Sequence, residues 1–307
     1  MKIKLLGFLC LLLIQQLHAQ TLTDGLMMSK KNLCTGFVYS TDSWKNYWEG
    51  SVKRDNLNIG TITTNSAIWM GSYGLTDKIN LIAMVPYVST NSTGPTLHPM
   101  QGVQDLTLGG KYKLLNAALG SSSISAFAGA SFSIPLTNYT PDYLPLSIGL
   151  SSKTLAIRGT ANYTLRKSWY AGISGAYVFR SNITLDRPSY YTDDQLFLTN
   201  EVAMPNQFQL VGSIGYKKSN WQAEANYNQQ NTLGGGDIRR QDMPFASNRM
   251  NYSKLGVLGM YYLPKPKGLA ARVSASYTIE GRNVGQSTTY TAGLLYTIQF
   301  KRETQTN

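Results

Sequence analysis

Few residues in this chain have the chemistry of an active centre. There are two histidines, His18 and His98, and two cysteines, Cys10 and Cys34. No His-Glu-x-x-His, Gly-x-Ser-x-Gly or paired-cysteine pattern is present, so a His/Cys metal centre lacks ligands and no metal or cofactor is expected. Ser89 and Ser92 are close to His98 in sequence. They could form a lipid-hydrolysing pair only within hydrogen-bond reach of it. A lone histidine in a polar segment is ordinarily solvated, so catalysis is not expected. What recurs instead is charge at alternate positions. Lys111, Lys113, Arg158, Arg166, Arg180, Lys254 and Arg272 fall on polar parities, against Asp105, Glu224 and Glu280. Rings of Arg and Lys favour anions, so a passage lined by this set would favour anions or electron-rich polar solutes. Alternatively the charges pair with one another and fill a sealed interior. A second group, Trp44, Tyr47, Trp48, Lys53 and Arg54, is crowded into residues 42–57. It suits planar or carboxylated ligands as a gate, or else a membrane-interface girdle.

The elements that must hold these residues have period two. In 104–115, Leu106, Leu108, Gly110, Tyr112 and Leu114 share one parity, and Asp105, Thr107, Gly109, Lys111 and Lys113 the other. In 155–166, Leu155, Ile157, Tyr163 and Leu165 oppose Arg158, Thr160, Asn162 and Arg166. Such alternation marks strands with one apolar and one polar face. Twelve segments of this kind are predicted, over 33–41, 58–74, 78–90, 102–116, 121–135, 152–166, 168–182, 206–218, 220–232, 249–263, 268–283 and 286–300. Most are far longer than the usual soluble strand of roughly 5–6 residues. Their connections alternate, brief after even-numbered strands and mostly long after odd ones. Short turns on one side and long loops on the other are the layout of an outer-membrane barrel. Pro86 falls inside a strand, where it removes a ladder hydrogen bond, so a bulge or the outer rim is expected there.

Composition agrees. Only 14% of residues are charged, against roughly 25% in ordinary soluble domains, which excludes a charge-rich disordered chain. Lys2 and Lys4, an apolar run from Leu5 to Ile14, and Ala19 outline a secretory leader with cleavage after residue 19. Its loss takes the formal charge from +12 to +12 − 2 = +10 and leaves Cys34 as the one cysteine. Cys34 is expected to be a buried thiol. No other apolar run approaches the length of a membrane helix. No basic cluster or helix supports nucleic-acid binding despite the positive charge.

Two adjoining stretches carry a resemblance. Residues 73–88, YGLTDKINLIAMVPYV, and 102–113, GVQDLTLGGKYK with Asp105, Gly109, Lys111 and Tyr112, resemble the outer-membrane transporter family labelled by the MetA pathway of phenol degradation. The resemblance implies a channel for small, often aromatic compounds. Fatty-acid and hydrocarbon transporters of the FadL kind share the export route but carry a longer N-terminal hatch than residues 20–32 can form.

The expectation is an all-β, transmembrane, antiparallel up-and-down β-barrel of about 12 strands in the outer membrane of a Gram-negative cell, with both termini periplasmic. Residues 1–19 are the signal peptide, 20–32 a short periplasmic segment or small plug, 33–300 the barrel and 301–307 a tail. Expected partners are outer-membrane lipids and lipopolysaccharide, a small-molecule solute and the barrel-assembly machinery, with no nucleic acid. The expected function is passive or facilitated diffusion of small molecules. A sealed structural barrel and a lipid-active enzyme centred on His98 are the alternatives.

Overall fold

The computed structural model describes residues 21–239 and 242–300. The leader expected over 1–19 and the tail expected over 301–307 lie outside the described residues.

A strand that faces lipid on one side must bond every backbone group to a neighbour. The chain meets this with twelve antiparallel strands: β1 Asn32–Trp44, β2 Ile62–Gly74, β3 Ile79–Ser92, β4 in two pieces (Met100–Val103 and Asp105–Leu119), β5 Ser122–Pro135, β6 Thr154–Leu165, β7 Trp169–Arg180, β8 Gln207–Lys218, β9 Trp221–Thr232, β10 Asn251–Tyr262, β11 Leu269–Arg282 and β12 Thr288–Gln299. Each pairs with the next, and β12 returns to β1, from Asn32 opposite Gln299 to Ser43 opposite Thr288. The sheet therefore closes with no free edge.

Register separates the two faces. Phe37 and Leu294 are paired near the strand centres and are 68% and 59% exposed. Leu108, Ile157, Ile214, Val257 and Val273 are exposed in the same way. Apolar surface on this scale is stable only with lipid as its solvent, so the fold is a transmembrane barrel. Aromatic rings gather at one end, where Trp169 and Trp221 flank Tyr216 at 4.8 and 5.3 Å and Tyr73 meets Phe300 at 6.4 Å. Such belts sit at membrane–water interfaces.

The same end carries both ends of the barrel and tight turns at 75–78, 120–121, 166–168, 219–220 and 263–268. Arg166 and Lys167 adopt φ of 48° and 60°, the left-handed backbone at the centre of a tight turn that the Ser168 N–H closes onto the Leu165 carbonyl at 3.1 Å. The opposite end bears the long loops 45–61, 136–153, 181–206 and 233–250, a shorter 93–99 and a brief 283–287. The first strand runs three residues past its expected end at 41, and the segment beyond it folds into a small hairpin, Asn46–Glu49 against Val52–Asp55.

Three irregularities interrupt the period. Met84 pairs with Thr107 but Tyr87 with Val103, so the partner strand holds one extra residue opposite Pro86, and the Gln104 N–H donates to the Pro86 carbonyl at 2.9 Å. The bulge expected at Pro86 is thus in its neighbour. A second shift separates Lys113 from Leu115 on β4. A third separates Ser253 from Lys254, whose partners are Glu280 and Thr278, leaving Ile279 as the extra residue on β11.

Candidate functional site

The barrel interior is not an open tube. Residues 21–28 turn in from the end that bears the short turns and cross the lumen. Met28 is buried in a cluster with Cys34, Val38, Met260, Tyr262, Ala270 and Leu295. Gly74 lies so close to this segment that a Cβ there would be 2.1 Å from the Ser29 carbonyl oxygen. Further in, the Leu22 side chain lies over Gly109 and Gly25 against Asn162. Asp24 shapes the segment from within. Its Oδ2 accepts the Thr21 N–H and hydroxyl, and its Oδ1 accepts the Leu26 N–H at 3.0 Å.

Lys111 fastens the segment to the wall. Its side chain is 1% exposed. The ammonium donates to the Thr21 carbonyl at 3.1 Å, the Leu26 carbonyl and Asp24 Oδ1 at 3.0 Å each, and the Asp24 carbonyl. It also lies 5.2 Å from the centre of the Phe127 ring. A lysine can be buried only when its charge is paired and its donors satisfied, and residues 21–26 supply that environment.

Beside the segment is a chamber of about 200 Å³, walled by Asp24, Leu26, Tyr170, Val211, Lys217, Glu224, Leu258, Met260 and Arg272. Tyr170 donates to Glu224 Oε2 and accepts from Gln222 Nε2, both at 2.7 Å. Towards the other end, β6, β7 and β8 form a wall whose sequences contain no Asp or Glu. Arg158 on this wall donates to Ser174 Oγ at 3.2 Å and Gln209 Oε1 at 3.0 Å. Arg180 reaches the Pro205 carbonyl at 3.3 Å, and its Nη2 has no partner among the described residues. Lys254 lies on β10, 3.5 Å from Asp42 Oδ2 and 2.9 Å from Ser287 Oγ.

The long loops narrow the mouth. Loop 136–153 folds inward. Leu146 is fully buried and its carbonyl accepts the Thr90 hydroxyl at 2.6 Å, while Tyr139 and Ile148 pack on Val88. The Tyr139 hydroxyl donates to Asp105 Oδ1 at 2.6 Å and accepts the Ser151 N–H at 3.0 Å. Burial, with the neighbouring Asp105 carboxylate adding to it, holds that hydroxyl protonated above the usual phenol range. Loops 181–206 and 233–250 share a second cluster, Ile183, Leu185, Tyr190, Val202, Met204, Phe245 and Ala246. Ion pairs tie the set together: Arg187 to Asp142 at 2.6 Å, Arg239 to Asp194 at 2.9 Å, and Arg282 to Asp237 at 2.6 Å.

The aromatic hairpin belongs to this cover. Trp48 is buried over Gly281, where a Cβ would come within 2.5 Å of its ring. Trp44 covers Gly285 and lies 6.3 Å from Tyr47. Asn283 holds the hairpin tip, accepting the Gly50 N–H at 2.8 Å. Arg54 pairs with Glu49 at 2.9 Å, and Lys53 is exposed.

The ten charged candidates therefore divide. Asp105, Lys111, Arg158, Arg180, Glu224, Lys254 and Arg272 make inward contacts. Arg166 is in an exposed turn after β6, Lys113 donates to the Asp77 carbonyl beside the short turns, and Glu280 is exposed beyond the β11 bulge. Asp105 is met by the Tyr139 hydroxyl rather than by another charge, because loop 136–153 folds in beside it. Sequence reasoning missed Asp24, Tyr139, Tyr170 and Lys217. Tyr170 and Lys217 share the polar parity of β7 and β8, a signal that was available. His98 is exposed, and among the described residues no hydrogen bond joins its imidazole to Ser89 or Ser92. Cys34 is a free, buried thiol.

A closed twelve-stranded barrel with an aliphatic outer wall and a charged, partly filled lumen has the fold of an outer-membrane β-barrel. Residues 54–296 match the model of the family described as "Putative MetA-pathway of phenol degradation", and the chain belongs to that family. No curated protein matches its sequence. Among solved structures, the COG4313 outer membrane channel from Pseudomonas putida F1 is similar at TM-score 0.70 and 14% identity, over 89% of this chain and 97% of that one. The KdgM porin in complex with disordered oligogalacturonate is more distant, at TM-score 0.48 and 9% identity over 85% and 98% of the two chains. The TodX monoaromatic hydrocarbon channel, as its deltaS2 mutant, follows at TM-score 0.45 and 11% identity over 89% and 91%.

Proposed function

We propose that the protein is a gated outer-membrane channel for small molecules, with a preference for anionic and aromatic solutes. The observation that carries this reading is the wall of β6, β7 and β8, which holds Arg158, Arg180 and Lys217 with no carboxylate on any of the three strands. A solute entering beneath the loops meets only cations among the charges on this wall, in a low-dielectric tube that strengthens their field. The aromatic preference rests on the family's label. In this reading the long loops face the outside and both termini the periplasm, as in other barrels of this class. Residues 21–28, pinned by Lys111, are the gate, and the Trp48 hairpin and loop 136–153 set the width of the mouth. Lipids and lipopolysaccharide surround the outer wall, the assembly machinery inserts it, and no catalytic step is assigned. A sealed structural barrel would have no use for a chamber beside its gate.

Planar-bilayer recording of the refolded mature protein tests the reading. Discrete openings that become more frequent when residues 21–28 are deleted support a gated channel. A folded barrel that stays silent with and without the segment rejects it.

A further inference from the structure

We propose that Arg272 is the docking point for the carboxylate of a small, partly apolar solute held in the lumen chamber. The inference deepens the channel reading and rests on it for the solute's route of entry. Arg272 lines the chamber from β11, and its Nε is buried with no hydrogen-bond partner among the described residues. A buried, charged donor without an acceptor is costly, and a carboxylate that reaches Arg272 from the chamber supplies acceptors for its guanidinium. A guanidinium presents parallel N–H groups matching the two oxygens of a carboxylate, which a lysine does not.

Charge favours the same ligand. The chamber is lined by Lys167, Lys217 and Arg272 against Asp24 and Glu224, which is +3 − 2 = +1. Both carboxylates are already engaged, Asp24 by the ammonium of Lys111 and Glu224 by the Tyr170 hydroxyl. They lie close enough to act on Arg272 electrostatically, yet neither forms an ion pair with it among the described residues. Val211, Leu258 and Met260 supply an apolar face for the body of the solute. At about 200 Å³ the chamber is smaller than the roughly 300–1,000 Å³ of drug-sized sites, which suits one ring or a short chain.

Equilibrium dialysis of benzoate against the detergent-solubilised mature protein tests the assignment, with benzyl alcohol as the uncharged counterpart. The expected result is one benzoate per chain, weakened about tenfold or more in Arg272→Gln, with benzyl alcohol unaffected. Arg272→Lys keeps the charge but not the fork, so it also weakens benzoate. It carries the test alone should Arg272→Gln fail to fold. Equal benzoate binding by the wild type and the variants, or none by the wild type, overturns the assignment. Benzoate bound through Arg272 by a barrel that never conducts would leave the docking point standing and reject the channel.

Discussion

Replacing Lys111 by Met should release the gate without unmaking the barrel. Methionine fills nearly the same volume against Phe127 but removes the charge and every donor to residues 21–26. Breaking a buried ion pair by removing one partner costs roughly 3–5 kcal/mol. Asp24 is 23% exposed at its side chain, so water relieves part of that cost and the lower end, about 3 kcal/mol, applies. That shifts the balance between docked and released segment on the order of a hundredfold. The barrel itself should persist, because β4 keeps its pairing with β3 and β5. In single-channel recordings Lys111→Met should spend a far larger fraction of time open than the wild type. Asp24→Asn should move it the same way, and the double variant should add little, since both changes break one contact. An open fraction unchanged in Lys111→Met, in a barrel shown by circular dichroism to be folded, would refute the argument that this lysine holds the gate.

Three further outcomes follow from other parts of the molecule. Leu294→Arg puts a charge on the lipid face near the centre of β12 and should cost about 2–4 kcal/mol of folding stability in vesicles, read by urea titration. Gly281→Val forces the Trp48 ring away and should expose loop 45–61, with its small hairpin, to proteolysis while leaving the strands intact. Asp237 is held below the usual carboxylate range by the Arg282 guanidinium. Its tether is therefore fully present above the ordinary Asp value of about 4 and is lost only as pH falls through the lower folded value. Proteolysis of loop 233–250 should not change between pH 7 and about pH 5 in the wild type, whereas Asp237→Asn should be cleaved faster across that whole range.

The strands were legible because period two is a local property. Leu106 to Leu114 can be read as one face without knowing what lies beside them. Closure of β12 on β1 followed from an even count and from the rhythm of the connections. The candidate site was harder. Parity placed Arg158 and Arg272 inside, but a single extra residue reverses parity, and Ile279 does this to Glu280. Arg166 carries the right parity and the wrong backbone, since its left-handed φ puts it in the turn rather than the strand. The partners of Lys111 and Asp105 had no local signal. Asp24 is 87 residues from Lys111 and Tyr139 is 34 from Asp105, and each meeting depends on a segment folding into a lumen that exists only once the sheet has closed.

In the proposed function the lumen is a path whose wall selects by charge. The most direct measurement of that selection is the reversal potential of single channels of the mature protein under a potassium chloride gradient, repeated for the Arg158→Ala, Arg180→Ala double variant. A wild-type reversal potential displaced towards that of chloride, and a clear loss of that displacement in the variant, is the expected result. A cation-selective wild type, or a selectivity that the two substitutions leave untouched, would contradict it.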